Sequence, residues 1–426
     1  MKCFLTLLLL CSSIAAYTQT PSVQFSPPLF EAPPQSVGMS PDRLARIDSM
    51  LYESIRHKQI PGAVALVARN GKIVYHKAFG TANHETGRAF KSDDIFRIAS
   101  QTKAITATAV MMLWEEGKFR LDDPISSYIP EFGNPQILNT FNEADSSYTT
   151  TPAGNPITIR HLLTHTSGIA YGSIDRDDRF KKIFSKAGMI DLSSTIEDNV
   201  KKLATLPLHY APGERYTYSY SMDVLGYFVE ILSGMPFDQF LRERLFDPLG
   251  MDDTWFYLPA SKHDRLVPVQ TRENGTWSNF TDTTLFNAKY PVTGAKPLFS
   301  GGAGLSSTAE DYATFLQMYL NNGELNGVRI LSRTTIQFIM ADQIGDLWQG
   351  PGKHLGLAFR VLNQKGQDLG GRGSSGAFNW GGYFNTQYFA DPHDQIVGIL
   401  MKQTRGSSND ETSRKFRQLV FQVIDH

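Results

Sequence analysis

Cysteine is almost missing from this 426-residue chain: there are two, and both, Cys3 and Cys11, fall within the first eleven residues. A disulfide framework, a thiolate nucleophile or a Cys-ligated metal in the rest of the chain is therefore excluded. An excess of either charge is missing too, with 41 Lys and Arg against 42 Asp and Glu and a net charge of -1. Such a chain has no field to hold a polyanion, which argues against nucleic acid as a partner. After the N-terminus no apolar run approaches the roughly 20 residues a bilayer span needs, so no stable membrane insertion is expected of the mature protein. Low-complexity tracts are absent as well, since 35 Gly and 22 Pro are spread along the chain. What is present, 41% hydrophobic and 19% charged residues, is the make-up of a folded globular protein. Its length argues for two or three structural units and a sizeable core.

The one apolar run opens the chain. Lys2 precedes Cys3 to Leu10, and small residues follow at Ser13, Ala15 and Ala16. This pattern predicts a secretory signal peptide over residues 1–16, and with it a periplasmic or secreted protein without cysteine. Leu10 is too bulky to precede a lipidated Cys11. Residues 17–39 are Pro-rich and unpatterned and read as a linker.

From residue 40 onward the patterning is regular. Ser40-Pro41 reads as N-cap and first position of a helix carrying Leu44, Ile47, Leu51 and Ile55. Gly62 to Gly80 is two β-rich runs joined by Asn70-Gly71, the strongest short hairpin signal. Thr102 to Glu116, rich in Ala, Met and Leu, predicts a buried helix ending at Gly117. Further helices are signalled by a Ser194-x-x-Glu197 capping box, by Asp223 to Ser233, by Pro236 to Phe246 and by Thr308 to Leu320. Arg176 to Lys186 reads as the solvated face of a mixed-charge helix. Strands are predicted at Leu355 to Leu362, Phe378 to Tyr383, Gln387 to Asp391 and Ile396 to Lys402, with a closing helix from Glu411 to Ile424. The order predicts a mixed α/β (α+β) fold: an antiparallel sheet built from both chain ends, flanked by helices, with a helical insert. The expected division is a sheet subdomain over about 40–103 and 296–426 and a helical subdomain over about 104–295.

Three common chemical signatures fail. No serine has glycines two residues to either side, so the nucleophile elbow of α/β-hydrolases is absent. Gly371-x-Gly373-x-x-Gly376 matches a dinucleotide fingerprint but is followed by Phe378 and Trp380 instead of a helix, and reads as a loop. His161 and His165 share a helix face without a third ligand or an intervening Glu, and read as satisfied histidines at a capped helix end; no metal is expected.

What remains is Ser100-Gln101-Thr102-Lys103. On a helix, positions i and i+3 share a face, so the Lys103 amine can reach the Ser100 hydroxyl and serve as its base. Burial and the positive end of the helix are expected to lower the lysine pKa, and the helix N-terminus offers an N–H to an oxyanion. By itself the four-residue pattern is weak, being as frequent by chance as by design.

Four more blocks strengthen it. Together IFRIASQTKAITATAVMMLWEEGKFRLDDPI, HLLTHTSGI, PGERYTYSYSMDVLG, GGAGLSSTAEDY and NWGGYFNTQYFADP make the chain resemble, over about Ser40 to Gln403, the serine β-lactamase and penicillin-binding-protein superfamily. It is most similar to class C β-lactamases and the esterases that share their fold. The resemblance implies Ser100 as nucleophile, Lys103 as base and Tyr218 as a proton shuttle to the leaving group. It also implies an oxyanion hole from the N–H groups of Ser100 and Tyr383, the latter following an edge strand, with Trp380, Gly381 and Gly382 at the third motif as pocket wall. Where many relatives have Tyr-x-Asn this chain has Tyr218-Ser219-Tyr220, and where peptidases and β-lactamases have Lys-Thr-Gly it has Trp380-Gly381-Gly382. The second change removes a cation that pairs with a substrate carboxylate, about 2 kcal/mol or more of recognition. A secreted esterase acting on uncharged acyl groups of small-molecule esters or amides, with no cofactor, is the function these departures imply. The alternatives are a D-amino-acid peptidase, a weak β-lactamase, a penicillin-type sensor that acylates without turnover, and a cell-wall scaffold with a dead site.

Overall fold

The computed structural model describes residues 21–189, 193–281, 287, 289–294, 297–370, 373–406 and 410–425. The expected signal peptide, and Gly371 of the glycine pattern, lie outside the described residues. Gly373 and Gly376 sit in a loop with φ of 98° and 93°.

Nine strands make the main sheet: β1 (Phe30–Glu31), β2 (Gly62–Arg69), β3 (Lys72–Asn83), β4 (Arg88–Ala89), β5 (Lys353–Leu355), β6 (Arg360–Leu362), β7 (Phe378–Gly381), β8 (Gln387–Asp391) and β9 (Ile396–Met401). Their order is β1-β3-β2-β9-β8-β7-β6-β5, with β4 on β3, and all pairs but β1–β3 are antiparallel. Asn70 and Gly71 adopt φ of 51° and 74°, as a tight turn between right-twisted strands requires. The two chain ends meet where β2 pairs β9, with Leu66 opposite Ile399. Residues 21–39 lie along this framework: Phe30 pairs Lys72, and the Ser22 N–H donates to Gly327.

Alternation on β2 defines the layers. Ala63, Ala65 and Val67 pack with Leu44, Ile47 and Leu51 of α1 (Pro41–Arg56) and with Phe416 and Val420 further along the chain. Val64, Leu66 and Ala68 face the other way, into the core shared with α2 (Thr102–Glu115). Every residue of α2 from Thr102 to Leu113 is buried, which explains why the run carries no polar face. Five further elements complete this side: α3 (Ile159–Leu163), α4 (Asp178–Lys186), α5 (Ile196–Ala204), α6 (Ser221–Ser233) and α7 (Phe237–Leu241). Then α8 (Ala309–Leu320) covers the sheet next to β9 and β2, and α9 (Thr412–Phe421) joins α1 on the outer face.

Two details here depart from the sequence patterning and two refine it. Leu355 to Leu362 is not one strand: Ala358, at φ 63°, reverses the chain and β5 and β6 pair with each other. The capping box on α5 is shifted by one residue, with Thr195 and Asp198 exchanging hydrogen bonds of 3.1 Å each. Ser194 instead accepts from the Asn199 amide. Pro236 to Phe246 is helical as expected, but changes from an α-helix over Phe237–Leu241 to a π-helix over Arg242–Phe246. Arg176 to Lys186 presents most of its charged residues to solvent as expected, and α4 buries Phe180, Ile183 and Phe184 on its other face.

Candidate active site

Ser100 stands in a 3-10 turn, Ala99–Gln101, that leads straight into α2. Ala99 there has φ 44°, a left-handed conformation that costs a residue with a Cβ about 1 kcal/mol or more. The turn is clamped on both sides: the Ile98 N–H donates to Leu305 at 3.0 Å, and Gly382 lies against the Ile98 carbonyl. A side chain at position 382 would press into that carbonyl and into the Thr386 hydroxyl, so glycine is required there by close approach.

One turn along α2, the Lys103 Nζ is buried and sits 3.4 Å from the Ser100 Oγ. It donates to the Gly302 carbonyl at 2.6 Å and to the Tyr171 hydroxyl at 3.1 Å. A Cβ at Gly302 would lie 2.5 Å from Asp223 Oδ2, so a side chain there would displace that carboxylate. Burial disfavours the ammonium form, as the sequence suggests, but the phenols of Tyr171 and Tyr218 favour it and outweigh burial. The lysine pKa is therefore raised, opposite to the expectation from burial and helix position alone. A neutral amine keeps the carbonyl and phenol contacts with its two N–H groups and turns its lone pair to Ser100.

Tyr218 lies in the loop before α6, its ring 4.6 Å beneath the Lys103 Nζ. Its hydroxyl is buried and has no hydrogen-bond partner among the described residues. Around it, the buried His165 packs its ring 4.8 Å from the Tyr218 ring and contacts Ser219 through Nδ1 at 3.3 Å. Burial, and then the Lys103 charge, hold this imidazole well below its ordinary pKa. His161 is elsewhere, closing the α3 capping box by accepting the Thr158 N–H through Nδ1 at 3.2 Å. Among the described residues no group of three or more His, Cys, Asp or Glu is placed to hold a metal ion.

The opposite wall is the end of β7. That strand stops at Gly381, two residues short of the patterning, because the Gly382 N–H turns to the Thr386 carbonyl at 2.7 Å. It is an inner strand, correcting the expectation of an edge. Its ladder with β6 nevertheless covers only Phe378 and Asn379, leaving Trp380 and Gly381 beyond the neighbour. Tyr383, in the turn, lines the cavity with Ala99, Ser100, Gly381 and Gly382. The cavity measures about 1260 Å³ and also takes in Tyr218, Tyr220 and Trp380. Ser100, Tyr218, Tyr220, Trp380, Gly381, Gly382 and Tyr383 thus line one cleft, and Lys103 reaches it at the Ser100 Oγ.

Two residues in contact with the centre were not singled out. Tyr171 belongs to the segment just after HLLTHTSGI, and nothing in its spacing marks it. Asp223 is partly buried in the first turn of α6, with Oδ1 accepting from Ser300 at 2.6 Å. Burial pushes its carboxyl up, against the pull of Ser300 and Lys103.

The statistical model of the family described as Beta-lactamase matches residues 47–422. The chain belongs to this family. Curated relatives include Protein Rv1367c of Mycobacterium tuberculosis, 33% identical over 363 residues, covering 81% of this chain and 86% of the relative. Esterase EstB of Burkholderia gladioli is 32% identical over 382 residues, covering 84% and 90%. Among solved structures, EstCE1, titled a hydrolase with promiscuous acyltransferase activity, superposes with a TM-score of 0.74 at 26% identity, covering 90% of this chain and 98% of that one. The family's fold is the mixed α/β fold described above, and the chain is a serine hydrolase of the esterase branch.

Proposed function

We propose that the protein hydrolyses small-molecule esters through an acyl-enzyme on Ser100. The observation that carries this is the Lys103 Nζ, 3.4 Å from the Ser100 Oγ and fixed by Gly302 and Tyr171. In this reading the neutral Lys103 amine takes the Ser100 proton as Oγ attacks the ester carbonyl. A raised pKa makes that base scarce but strong, which favours the transfer once the amine is neutral. The N–H groups of Ser100 and Tyr383 hold the oxyanion. The Tyr218 hydroxyl, buried and without a protein partner among the described residues, passes the proton to the departing alkoxide. Water then attacks the acyl carbonyl and the same groups return Ser100 to its resting state.

Ester specificity is supported by the Trp380-Gly381-Gly382 wall, which puts an indole where a carboxylate-pairing lysine stands in lactamases, and by the esterase and acyltransferase names of the relatives. Uncharged acyl groups are the substrates this wall suits. The test compares turnover of a chromogenic ester, a chromogenic cephalosporin and a D-Ala-D-Ala peptide. The ester is expected to turn over fastest. Faster lactam or peptide cleavage, or a permanent adduct without turnover, contradicts the reading.

A further inference from the structure

His165, in the HLLTHTSGI block, takes no part in the proposed reaction, yet it sits against the reacting groups. It follows α3 at φ 55°, a left-handed conformation that costs a residue with a Cβ about 1 kcal/mol or more. It is 2% exposed, and burial, then the Lys103 charge, keep its imidazole neutral. A strained, neutral, buried histidine beside a reactive cation calls for a reason.

Its contacts converge on Tyr218 and the two chain neighbours of that tyrosine. The His165 carbonyl accepts the Thr217 N–H at 2.7 Å, the imidazole lies 4.8 Å from the Tyr218 ring at 51°, and Nδ1 is 3.3 Å from the Ser219 Oγ. Positions 217, 218 and 219 are thus each held by a different part of one residue. The hold at Ser219 is itself anchored. Its Oγ is 2.7 Å from the Ser221 Oγ, which is 2.8 Å from the Ser167 Oγ, and all three serines are fully buried. Ser219 also accepts the Ser221 N–H, and Ser167 the Ile169 N–H, each at 3.3 Å. Hydroxyls shut away from water bond to one another, and turning one aside leaves a buried group unpaired at a cost of about 1–3 kcal/mol. The row therefore locks the start of α6 to the segment after α3. The Tyr171 ring meets Tyr218 edge-on at 5.2 Å. Because the Tyr218 hydroxyl has no hydrogen-bond partner among the described residues, its direction is inherited from what holds the ring and the flanking chain.

We propose that His165, acting through Ser219 and through the Tyr218 ring, is a positioning residue that aims the Tyr218 hydroxyl at the departing oxygen. The inference rests on the proton-passing role given to Tyr218 above. A general acid misplaced by about 1 Å loses much of its effect, and that loss falls on leaving groups that need a proton.

The test sets an ethyl ester beside the p-nitrophenyl ester of the same acid. p-Nitrophenoxide is a weak base that departs unprotonated, whereas ethoxide must leave as ethanol. His165→Ala should lower kcat/KM for the ethyl ester by about tenfold or more, and for the p-nitrophenyl ester by less than about threefold. His165→Asn tolerates the left-handed backbone and carries an amide near the place of Nδ1, so it should recover most of the ethyl-ester rate. Ser219→Ala should show the same selective loss, and the double variant should lose little more than His165→Ala alone, because the two residues act as a unit. Equal losses on both esters in Ser219→Ala, or no loss on either, overturn the inference whether or not His165→Ala folds. Failure of the underlying reading looks different: Tyr218→Phe then costs both esters alike.

Discussion

Lys103 shows what a single residue's neighbours can do to an expectation drawn from its position. Helix placement and burial argue for a depressed pKa, but the two phenols that reverse the direction come from Tyr171 and Tyr218, far along the chain. No local spacing announces them. The sign has a kinetic consequence: the reactive form is the neutral amine, and a raised pKa makes that form scarce at pH 7. Acylation, followed as kcat/KM for a chromogenic ester, should rise close to tenfold per pH unit from about pH 7 to beyond about pH 9. A plateau starting below about pH 8 would show that Lys103 is not the group being titrated. Gly382 is the second case. Gly381 and Gly382 stand side by side in the third motif, yet only Gly382 abuts rigid backbone, while a Cβ at 381 would meet the flexible end of Gln387. Gly382→Ala should cost about 1–3 kcal/mol of stability and at least about tenfold in kcat by displacing the Ser100 turn. Gly381→Ala should cost less in both, and equal losses in urea unfolding and turnover would refute the distinction.

At the scale of elements, the segments read correctly were those whose partners lie within the segment. The Asn70-Gly71 hairpin and the capped α1 need only their own residues. The run from Leu355 to Leu362 failed because its alternation is compatible with either one strand or two, and only Ala358 at φ 63° decides. The start of α8 holds another property that no window of sequence contains. Asp311 in its first turn accepts from the Asp253 N–H and the Thr254 hydroxyl, each at 2.8 Å, and burial pushes its carboxyl up to about 7. Folding therefore favours the protonated acid. The stability it contributes is complete below about pH 4 and is lost as the pH rises through about 7. Asp311→Asn carries no such loss, so its stability relative to the parent should grow by about 1–3 kcal/mol between pH 5 and pH 9 in urea titrations. A difference that stays constant or shrinks with pH would contradict the assignment.

Over the whole molecule, the sheet was legible as the product of both chain ends because its strand signals cluster there, and the β2–β9 pairing joins them. The boundary between a sheet subdomain and a helical one was less so. One apolar cluster runs without a break from Val64 and Val397 on the sheet to Phe228 and Leu245 among the helices. We propose that the two regions are parts of one cooperative unit. Calorimetry should show a single transition with equal calorimetric and van't Hoff enthalpies, and two resolved transitions would separate them. The cleft brings Ser100 and Lys103, Tyr218 and Tyr383 together from three distant stretches of sequence. Its chemistry is tested most directly by mass spectrometry of protein quenched while turning over an ester. The account predicts the acyl mass on the peptide that contains Ser100, and its disappearance with activity in Ser100→Ala. An acyl group on any other residue, or an alanine variant that hydrolyses the ester at the parent's rate, would contradict it.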